Sequence, residues 1–318
     1  MMKSRISHFL ANPFSIAAYN YLVQRRITYP PLRYYLSKKI AKFYPSAEEI
    51  SPKNISSFKD YDVEQYVKSL DQEGVCFFDA LIDSEIVNDI KAHLKDKCLK
   101  SKSPANIPYD FLLENAPKNA NLAEYHQKDL LSCKHIVNIA NHPFLLNIVS
   151  RYLECKPTIS NVNVIWSFPG DKLKPQAAQN YHRDVDDWKF LKLFVYLTDV
   201  ETDSGPHCFV QGSHKYLGFT KIGRISDHVI NSTFEDSKKL EILGRMGYAF
   251  LEDTFAIHKG KFPEVSPRLL LQIEYSLNPN GVYNYVNKIP LKIIQDLNLD
   301  PYVNRLYMNG NDVRPKSA

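Results

Sequence analysis

The second half of the chain consists of short β-type runs joined by longer polar segments. Residues 158–167 alternate apolar and small polar side chains, which is the period of a strand with one buried face. Residues 191–197, 247–251 and 269–273 are almost continuously apolar and predict core strands. Several short strands with long polar loops and no internal repeat indicate a jelly-roll, that is, a cupin-like double-stranded β-helix.

Amphipathic helices are predicted before these strands. Residues 63–70 have helical periodicity, and residues 74–78 follow as a buried strand. Asp83 is a favourable N-cap for a second helix, and Pro143 is a favoured first-turn residue for a third. The predicted fold is therefore mainly β with flanking helices and an N-terminal helical extension.

The chain has 318 residues, of which 44% are hydrophobic, so one large domain with extensions is expected. Residues 1–60 are predicted to form a basic, aromatic helical arm and a linker. Residues 61–285 would form the β-helix domain with its N-terminal helices, and residues 286–318 a C-terminal tail with one short helix. Within the domain, residues 222–245 are polar and irregular, which predicts a loop over the mouth of the barrel.

Two histidines and one aspartate are spaced so that they can share a metal ion. Side chains two residues apart in a strand point to the same face, so His182 and Asp184 can bind one ion while Arg183 points away. His258, which follows the apolar run 247–251, is the third candidate ligand. Two histidines and one carboxylate, with open positions opposite them, are the ligand set of non-haem Fe(II) sites.

Arg268 adds a second feature to this pattern. It follows His258 after a proline-containing loop and opens the apolar strand 269–273, a separation that suits adjacent antiparallel strands. A guanidinium there can bind the far carboxylate of an organic co-substrate as a two-point fork. The His-x-Asp pair is common by chance, whereas its combination with a distal histidine and this arginine is much rarer.

At these residues the sequence resembles the phytanoyl-CoA dioxygenase family of Fe(II)- and 2-oxoglutarate-dependent oxygenases. The resemblance extends over residues 62–278 and lies in a few motifs: 70–75, 181–184, 204–206 with 212–215, and 247–251 leading to His258 and Arg268. Gln211 stands where the family usually has proline, and His207 where it commonly has a hydrophobic residue. These departures do not involve the candidate ligands, so they bear on the substrate rather than on the chemistry.

The resemblance implies Fe(II) as the cofactor, with 2-oxoglutarate and O2 as co-substrates. His182, Asp184 and His258 would hold the iron and form the catalytic centre, and Arg268 would bind 2-oxoglutarate. The carboxylate at position 184 favours hydroxylation or another oxidation, because halogenating relatives lack it. The implied partner is a small organic substrate, anionic or linked to a carrier.

Three further polar residues are candidates for binding the co-substrate. Asn163 lies in the alternating strand 158–167, and Lys192 and Tyr196 lie on one face of the strand 191–197. If these faces line the barrel, their side chains can hydrogen-bond an acidic co-substrate. If they face outwards, they are surface residues, and the sequence leaves both interpretations open.

Two other functions are compatible with the same fold. A jelly-roll can retain a metal for structure or carbohydrate recognition without turnover, although a pure binding module has little need for Arg268. A cupin-type isomerase is the second alternative, and such an enzyme would not consume 2-oxoglutarate.

Charge and cysteine content limit the partners and the compartment. The chain has 40 Lys and Arg against 35 Asp and Glu, a net charge of +5, and it lacks a nucleic-acid reading module, so no nucleic-acid partner is expected. Its five cysteines are odd in number and lack Cys-x-x-Cys spacing, which indicates reduced thiols in a cytoplasmic protein. The sequence does not determine the oligomeric state.

Residues 1–45 interleave aromatic and basic side chains, and Pro30 and Pro31 divide them into two predicted helices. Such an arm can lie on an anionic membrane with its rings at the level of the headgroups. Packing on the outside of the domain, or dimerisation, is the commoner role of basic, aromatic helices. No stretch has the length of an uncharged transmembrane helix, so any membrane association would be peripheral.

Overall fold

The structure is a computed structural model that describes residue 20 and residues 22–47, 62–78, 81–102, 110–170, 177–281 and 283–309. Most of the predicted linker and most of the first of the two predicted arm helices lie outside the described residues. Among the described residues, no helix has the length and the apolar character needed to cross a membrane.

Two antiparallel sheets form the centre of the protein. The larger sheet contains, in chain order, β1 (Val75–Phe78), β2 (Leu99–Ser101), β3 (Asp110–Phe111), β4 (Leu122–Tyr125), β5 (Thr158–Ser167), β6 (Phe190–Tyr196), β9 (Ala249–Glu252) and β11 (Arg268–Ser276). Across this sheet the strands follow the order β1-β9-β6-β11-β5-β4-β2-β3. The smaller sheet has the order β10-β7-β8, with β7 (His207–Val210), β8 (Lys239–Ile242) and β10 (His258–Gly260). The strands predicted in runs 158–167, 191–197, 247–251 and 269–273 are confirmed as β5, β6, β9 and β11.

Helices come before, between and after these strands along the chain. They are α1 (Pro30–Ala41), α2 (Val63–Glu73), α3 (Ser84–Leu94), α4 (Gln127–Leu131), α5 (Lys134–Ala140), α6 (Pro143–Leu153), α7 (Asp227–Thr233) and α8 (Leu291–Leu297). The predicted first-turn position of Pro143 is confirmed. Asp83 is the N-cap residue of α3, but its side chain makes no capping hydrogen bond. Helix α2 ends at Gly74, whose φ of +81° favours glycine because a Cβ is strained there.

The two faces of the larger sheet have different neighbours. Leu271 of β11 pairs with Val164 of β5 and Val195 of β6, and all three side chains belong to the main hydrophobic core. The next residue, Gln272, pairs with Asn163 and Phe194, so these side chains point to the opposite, inner face. On that inner face Phe194 lies 4.8 Å, centroid to centroid, from the ring of His207 in the smaller sheet. The predicted jelly-roll core with flanking helices is thereby confirmed.

The prediction that residues 222–245 form a loop is wrong. They contain α7 and the strand β8, which pairs with β7 through His207–Ile242 and Val210–Lys239. Strand β8 has only four residues, and all but Ile242 are at least partly exposed, so its own sequence carries little apolar periodicity. Its pairing with β7, which is distant in sequence, decides its conformation.

The described part of the predicted C-terminal tail, residues 286–309, packs against the sheet. Its helix α8 covers the residues predicted for it, and the backbone N–H of Ile159 donates a 3.0 Å hydrogen bond to the carbonyl of Val303. Val303 and Tyr307 are fully buried. These residues therefore contribute to the main core, while the domain boundaries proposed from the sequence stay a prediction.

Candidate metal centre

His182 and His258 meet across a single antiparallel bridge. The backbone N–H of each residue donates a 3.0 Å hydrogen bond to the carbonyl of the other, and the ring centroids lie 4.4 Å apart. His258 is the first residue of β10, and His182 lies in the segment before β6. The backbone N–H of Asp184 donates a 2.9 Å hydrogen bond to the carbonyl of Thr254, which fixes the third candidate beside them.

The candidate ligand atoms of His182, Asp184 and His258 all lie within 4.8 Å of one another. His182 Nε2 is 3.4 Å from Asp184 Oδ1, and His258 Nε2 is 3.6 Å from Asp184 Oδ2. Two donors that bind one ion at about 2.1 Å on perpendicular bonds lie about 3 Å apart. The three side chains thus form the two-histidine, one-carboxylate set that is typical of non-haem iron sites.

Backbone carbonyls set the tautomer of both histidines. His182 Nδ1 lies 2.8 Å from the carbonyl oxygen of Asn180, and His258 Nδ1 lies 3.0 Å from that of Ala256. A carbonyl oxygen only accepts, so each Nδ1 carries the hydrogen and each Nε2 presents its lone pair to the site. Burial, with the neighbouring His182, lowers the pKa of His258 to about 3, which keeps that imidazole neutral and able to bind a metal.

Lys192 holds the carboxylate of Asp184. Its Nζ lies 2.7 Å from Asp184 Oδ2, 2.8 Å from Asp186 Oδ2 and 3.5 Å from Glu274 Oε2. Burial raises the pKa of Asp184, but the Lys192 ammonium outweighs it and holds the pKa well below its usual range. Asp184 is therefore ionised and oriented before any metal binds.

The guanidinium of Arg268 lies against Gly260, on the face of β10 that His258 shares. A Cβ built on Gly260 would meet Arg268 Nη2 at 2.7 Å, so the absence of a side chain at Gly260 makes room for the guanidinium. His258 and Gly260 are two residues apart in β10 and share a face, with a separation of about 6.6 Å along the strand. Arg268 is buried, and it donates hydrogen bonds to the carbonyl of Gly205 and, at 3.4 Å, to Ser167 Oγ.

Tyr196 and Asn163 both point to the inner face of the barrel. Tyr196 is fully buried, its hydroxyl donates a 2.7 Å hydrogen bond to the carbonyl of Ile242, and it accepts one from the backbone N–H of His207. Asn163 Nδ2 donates a 3.0 Å hydrogen bond to Glu124 Oε2. The structure thus places Lys192 on the carboxylate of a candidate metal ligand, Asp184, and Tyr196 against the smaller sheet, while Asn163 donates to Glu124.

His207 and Glu252 form a buried pair beside the candidate centre. The sequence singled out His207 as a departure from the family pattern, but it did not single out Glu252. His207 Nε2 lies 3.1 Å from Glu252 Oε1, and the His207 ring stacks on that of His258 at a centroid distance of 5.5 Å. Burial raises the pKa of Glu252 to about 8, so its carboxyl group is largely protonated at neutral pH. Glu252 could have been identified from the sequence, because it is a carboxylate that directly follows the apolar run 247–251.

No protein-family model and no curated protein matches the chain. Among solved structures it is similar to the α-ketoglutarate-dependent epimerase SnoN from nogalamycin biosynthesis, at 16% identity over 67% of this chain and 82% of that chain, with a TM-score of 0.47. It is also similar to HygX from Streptomyces hygroscopicus, solved with nickel and 2-oxoglutarate, at 15% identity over 68% and 86% of the two chains and a TM-score of 0.47. The phytanoyl-CoA dioxygenase family as such stays a prediction.

Proposed function

We propose that this protein is an Fe(II)- and 2-oxoglutarate-dependent oxygenase that uses O2 to hydroxylate a small organic substrate. One observation carries the proposal: the guanidinium of a buried arginine, Arg268, lies against Gly260, two residues along β10 from His258 of a complete two-histidine, one-carboxylate donor set. A structural metal site needs no such arginine. A dicarboxylic co-substrate needs a cation at that place, because its second carboxylate has to be compensated in a buried cavity.

Different residues of the chain have different roles in this reaction. His182, Asp184 and His258 would hold the iron, and three protein ligands would leave room for the co-substrate and oxygen. Bound iron supplies the redox chemistry that activates dioxygen. Arg268 binds the distal carboxylate of 2-oxoglutarate, and Gly205 and Ser167 hold the guanidinium in place through their hydrogen bonds.

Lys192 acts in this proposal as a positioning residue. Its ammonium contacts Asp184, Asp186 and Glu274, so it fixes the orientation of the ligand carboxylate. Direct binding of the co-substrate by Lys192, Tyr196 and Asn163 stays a prediction. The small excess of positive charge favours an anionic or carrier-linked substrate.

Addition of 2-oxoglutarate to the anaerobic Fe(II) protein should produce the weak visible charge-transfer band of a chelated keto acid. Admission of O2 should then release succinate, because the site holds both co-substrates next to each other. Absorption spectroscopy and a succinate assay measure the two events, and a metal-free sample is the control.

The same experiment separates the alternatives. A jelly-roll that retains the metal only for structure or recognition would give no succinate, and a cupin-type isomerase would give neither the band nor succinate. Either outcome would rule out an oxygenase.

We also propose that the protein is cytoplasmic and that its arm, through α1, contacts anionic membrane surfaces. Arg33 and Ser37 pack α1 onto the domain, while Tyr35 and Phe43 are 57% and 86% exposed. Their neighbours Lys39 and Lys42 add positive charge to this side of the arm. Aromatic rings and bases exposed together are typical of interfacial helices.

The full-length protein should sediment with vesicles that contain anionic lipid at low salt and be released at high salt, because surface charge attraction is screened. The double variant Tyr35→Ser, Phe43→Ser should lose this binding. Val265→Ser, which removes an exposed apolar side chain outside the arm, is the matched control. A wild-type protein that ignores such vesicles would leave only the packing role.

A further inference from the structure

A cavity of about 380 Å³ lies between α1 and the barrel, on a different side from the candidate metal centre. Its lining includes four aromatic side chains from four parts of the chain: Tyr34 of α1, Tyr152 of α6, Trp188 before β6 and Phe255 before β10. Small-molecule sites in proteins commonly measure about 300–1,000 Å³. The cavity therefore has the size and the lining of a site for a small organic ligand.

The cavity is separated from the candidate metal centre by the ligand segment itself. Arg183 points away from His182 and Asp184, and its guanidinium carbon lies 4.9 Å from the centroid of the Phe255 ring. That ring lines the cavity, so the cavity is behind the segment that carries the ligands. Within the described part of the chain, none of the three candidate ligands belongs to its lining.

Lys189 places a positive charge in this cavity. Its ammonium donates a hydrogen bond to the carbonyl of Tyr152 and lies 3.9 Å from the centroid of the Tyr152 ring and 5.2 Å from that of Tyr34. No carboxylate of the described residues lies within ion-pair distance of it. Burial lowers the pKa of Lys189 to about 8, so the ammonium is still largely charged at neutral pH.

Two carboxylates, Asp71 and Asp253, also line the cavity and attract Lys189 at longer range, but each has a nearer partner. Asp71 Oδ2 lies 3.0 Å from Lys215 Nζ. The carboxylate of Asp253 accepts hydrogen bonds from the Tyr152 hydroxyl at 2.7 Å and from the backbone N–H of Phe255 at 2.9 Å. Arg33 adds a second buried cation, whose guanidinium donates to backbone carbonyls, including those of Gln24 and Asp187. A half-buried ammonium without an anion in direct contact has lost part of its hydration, and binding of an anion recovers part of that free energy.

We propose that this cavity is a second ligand site that binds a small aromatic carboxylate. The carboxylate accepts hydrogen bonds from Lys189 Nζ, and the ring stacks among Tyr34, Tyr152 and Phe255. Such a ligand contacts α1 and the barrel together, and therefore fixes the arm on the domain. The site does not depend on the proposed oxygenase function, because it uses neither the metal nor Arg268.

Calorimetric titration of 2-naphthoate and of its neutral analogue 2-naphthylmethanol into the metal-free, full-length protein tests the site. We expect one carboxylate to bind per chain, about ten- to a hundred-fold more tightly than the alcohol, which is the contribution of a charge-assisted hydrogen bond in a desolvated site. Lys189→Met keeps the length of the side chain and removes its charge, so it should abolish this preference. Lys221→Met, which removes an equal charge at an exposed position, should leave it unchanged.

Two further variants keep the test decisive. Tyr34→Ala removes one aromatic wall and should weaken the acid and the alcohol alike, and it replaces a partly exposed side chain, so the fold should tolerate it. Arg268→Leu should leave 2-naphthoate binding unchanged. Equal affinity of the wild type for acid and alcohol, a preference that survives in Lys189→Met, or loss of binding in Arg268→Leu would each overturn the proposal.

Discussion

Replacement of His258 by alanine should abolish metal-dependent turnover of 2-oxoglutarate, and Asp184→Ala should have the same effect. Each variant removes one of three donors from an open site. Loss of a residue that merely orients a ligand costs ten- to a hundred-fold in metal affinity, so loss of a ligand itself should lower Mn(II) or Fe(II) affinity by at least about a hundred-fold. Anaerobic calorimetric titration of Mn(II), together with the succinate assay, measures both effects.

The fold should survive these substitutions. The backbone hydrogen bonds between positions 182 and 258 do not require the imidazole side chains, and the larger sheet and its core are elsewhere. His228→Ala, at an exposed histidine of α7, is the matched control and should behave as the wild type. Near-normal turnover in His258→Ala or Asp184→Ala would show that the triad is assigned wrongly.

Arg268→Lys should weaken 2-oxoglutarate binding by roughly ten- to a hundred-fold, because one charge-assisted hydrogen bond in a desolvated site contributes about 1.5–3 kcal/mol. A guanidinium presents two parallel donors to a carboxylate, whereas an ammonium is a compact charge without that fork. The Mn(II) affinity should change little, since Arg268 is not a metal ligand. Calorimetric titration of 2-oxoglutarate into the anaerobic Mn(II) form measures the effect.

Arg245→Lys makes the same chemical change at an exposed position and should leave the affinity for 2-oxoglutarate unchanged. Equal affinities of wild type and Arg268→Lys would move the carboxylate site elsewhere in the barrel. They would also remove the main reason to regard the protein as a 2-oxoglutarate enzyme, while the metal site could still stand.

The sequence identified the candidate triad in part because local backbone geometry alone brings two of its three side chains together. In extended backbone, His182 and Asp184 must share a face whatever the rest of the chain does. His258 and Arg268 were recognised from their places at the ends of apolar runs, since a strand that is buried along its length brings its terminal polar residues to the edge of the core.

The partners of the polar side chains could not be predicted in the same way. Lys192 was a candidate for binding the co-substrate if its strand face lined the barrel, and the structure pairs it with Asp184, Asp186 and Glu274, which come from two segments. Glu252 and His207 meet because β9 and β7 belong to opposing sheets. Such contacts depend on which strands become neighbours, and hydrophobic periodicity contains no information about that.

The sequence by itself determined the periodic elements and the short-range pair His182 and Asp184, because side-chain alternation and helix periodicity are properties of neighbouring residues. Only the tertiary structure decided that β8 is a strand, that the C-terminal segment belongs to the core, and that Arg268 lies beside Gly260 near the metal ligands. The physical reason is the same in each case. These features are stabilised by contacts between residues far apart in the chain, whose free energy exists only after the two sheets have packed together.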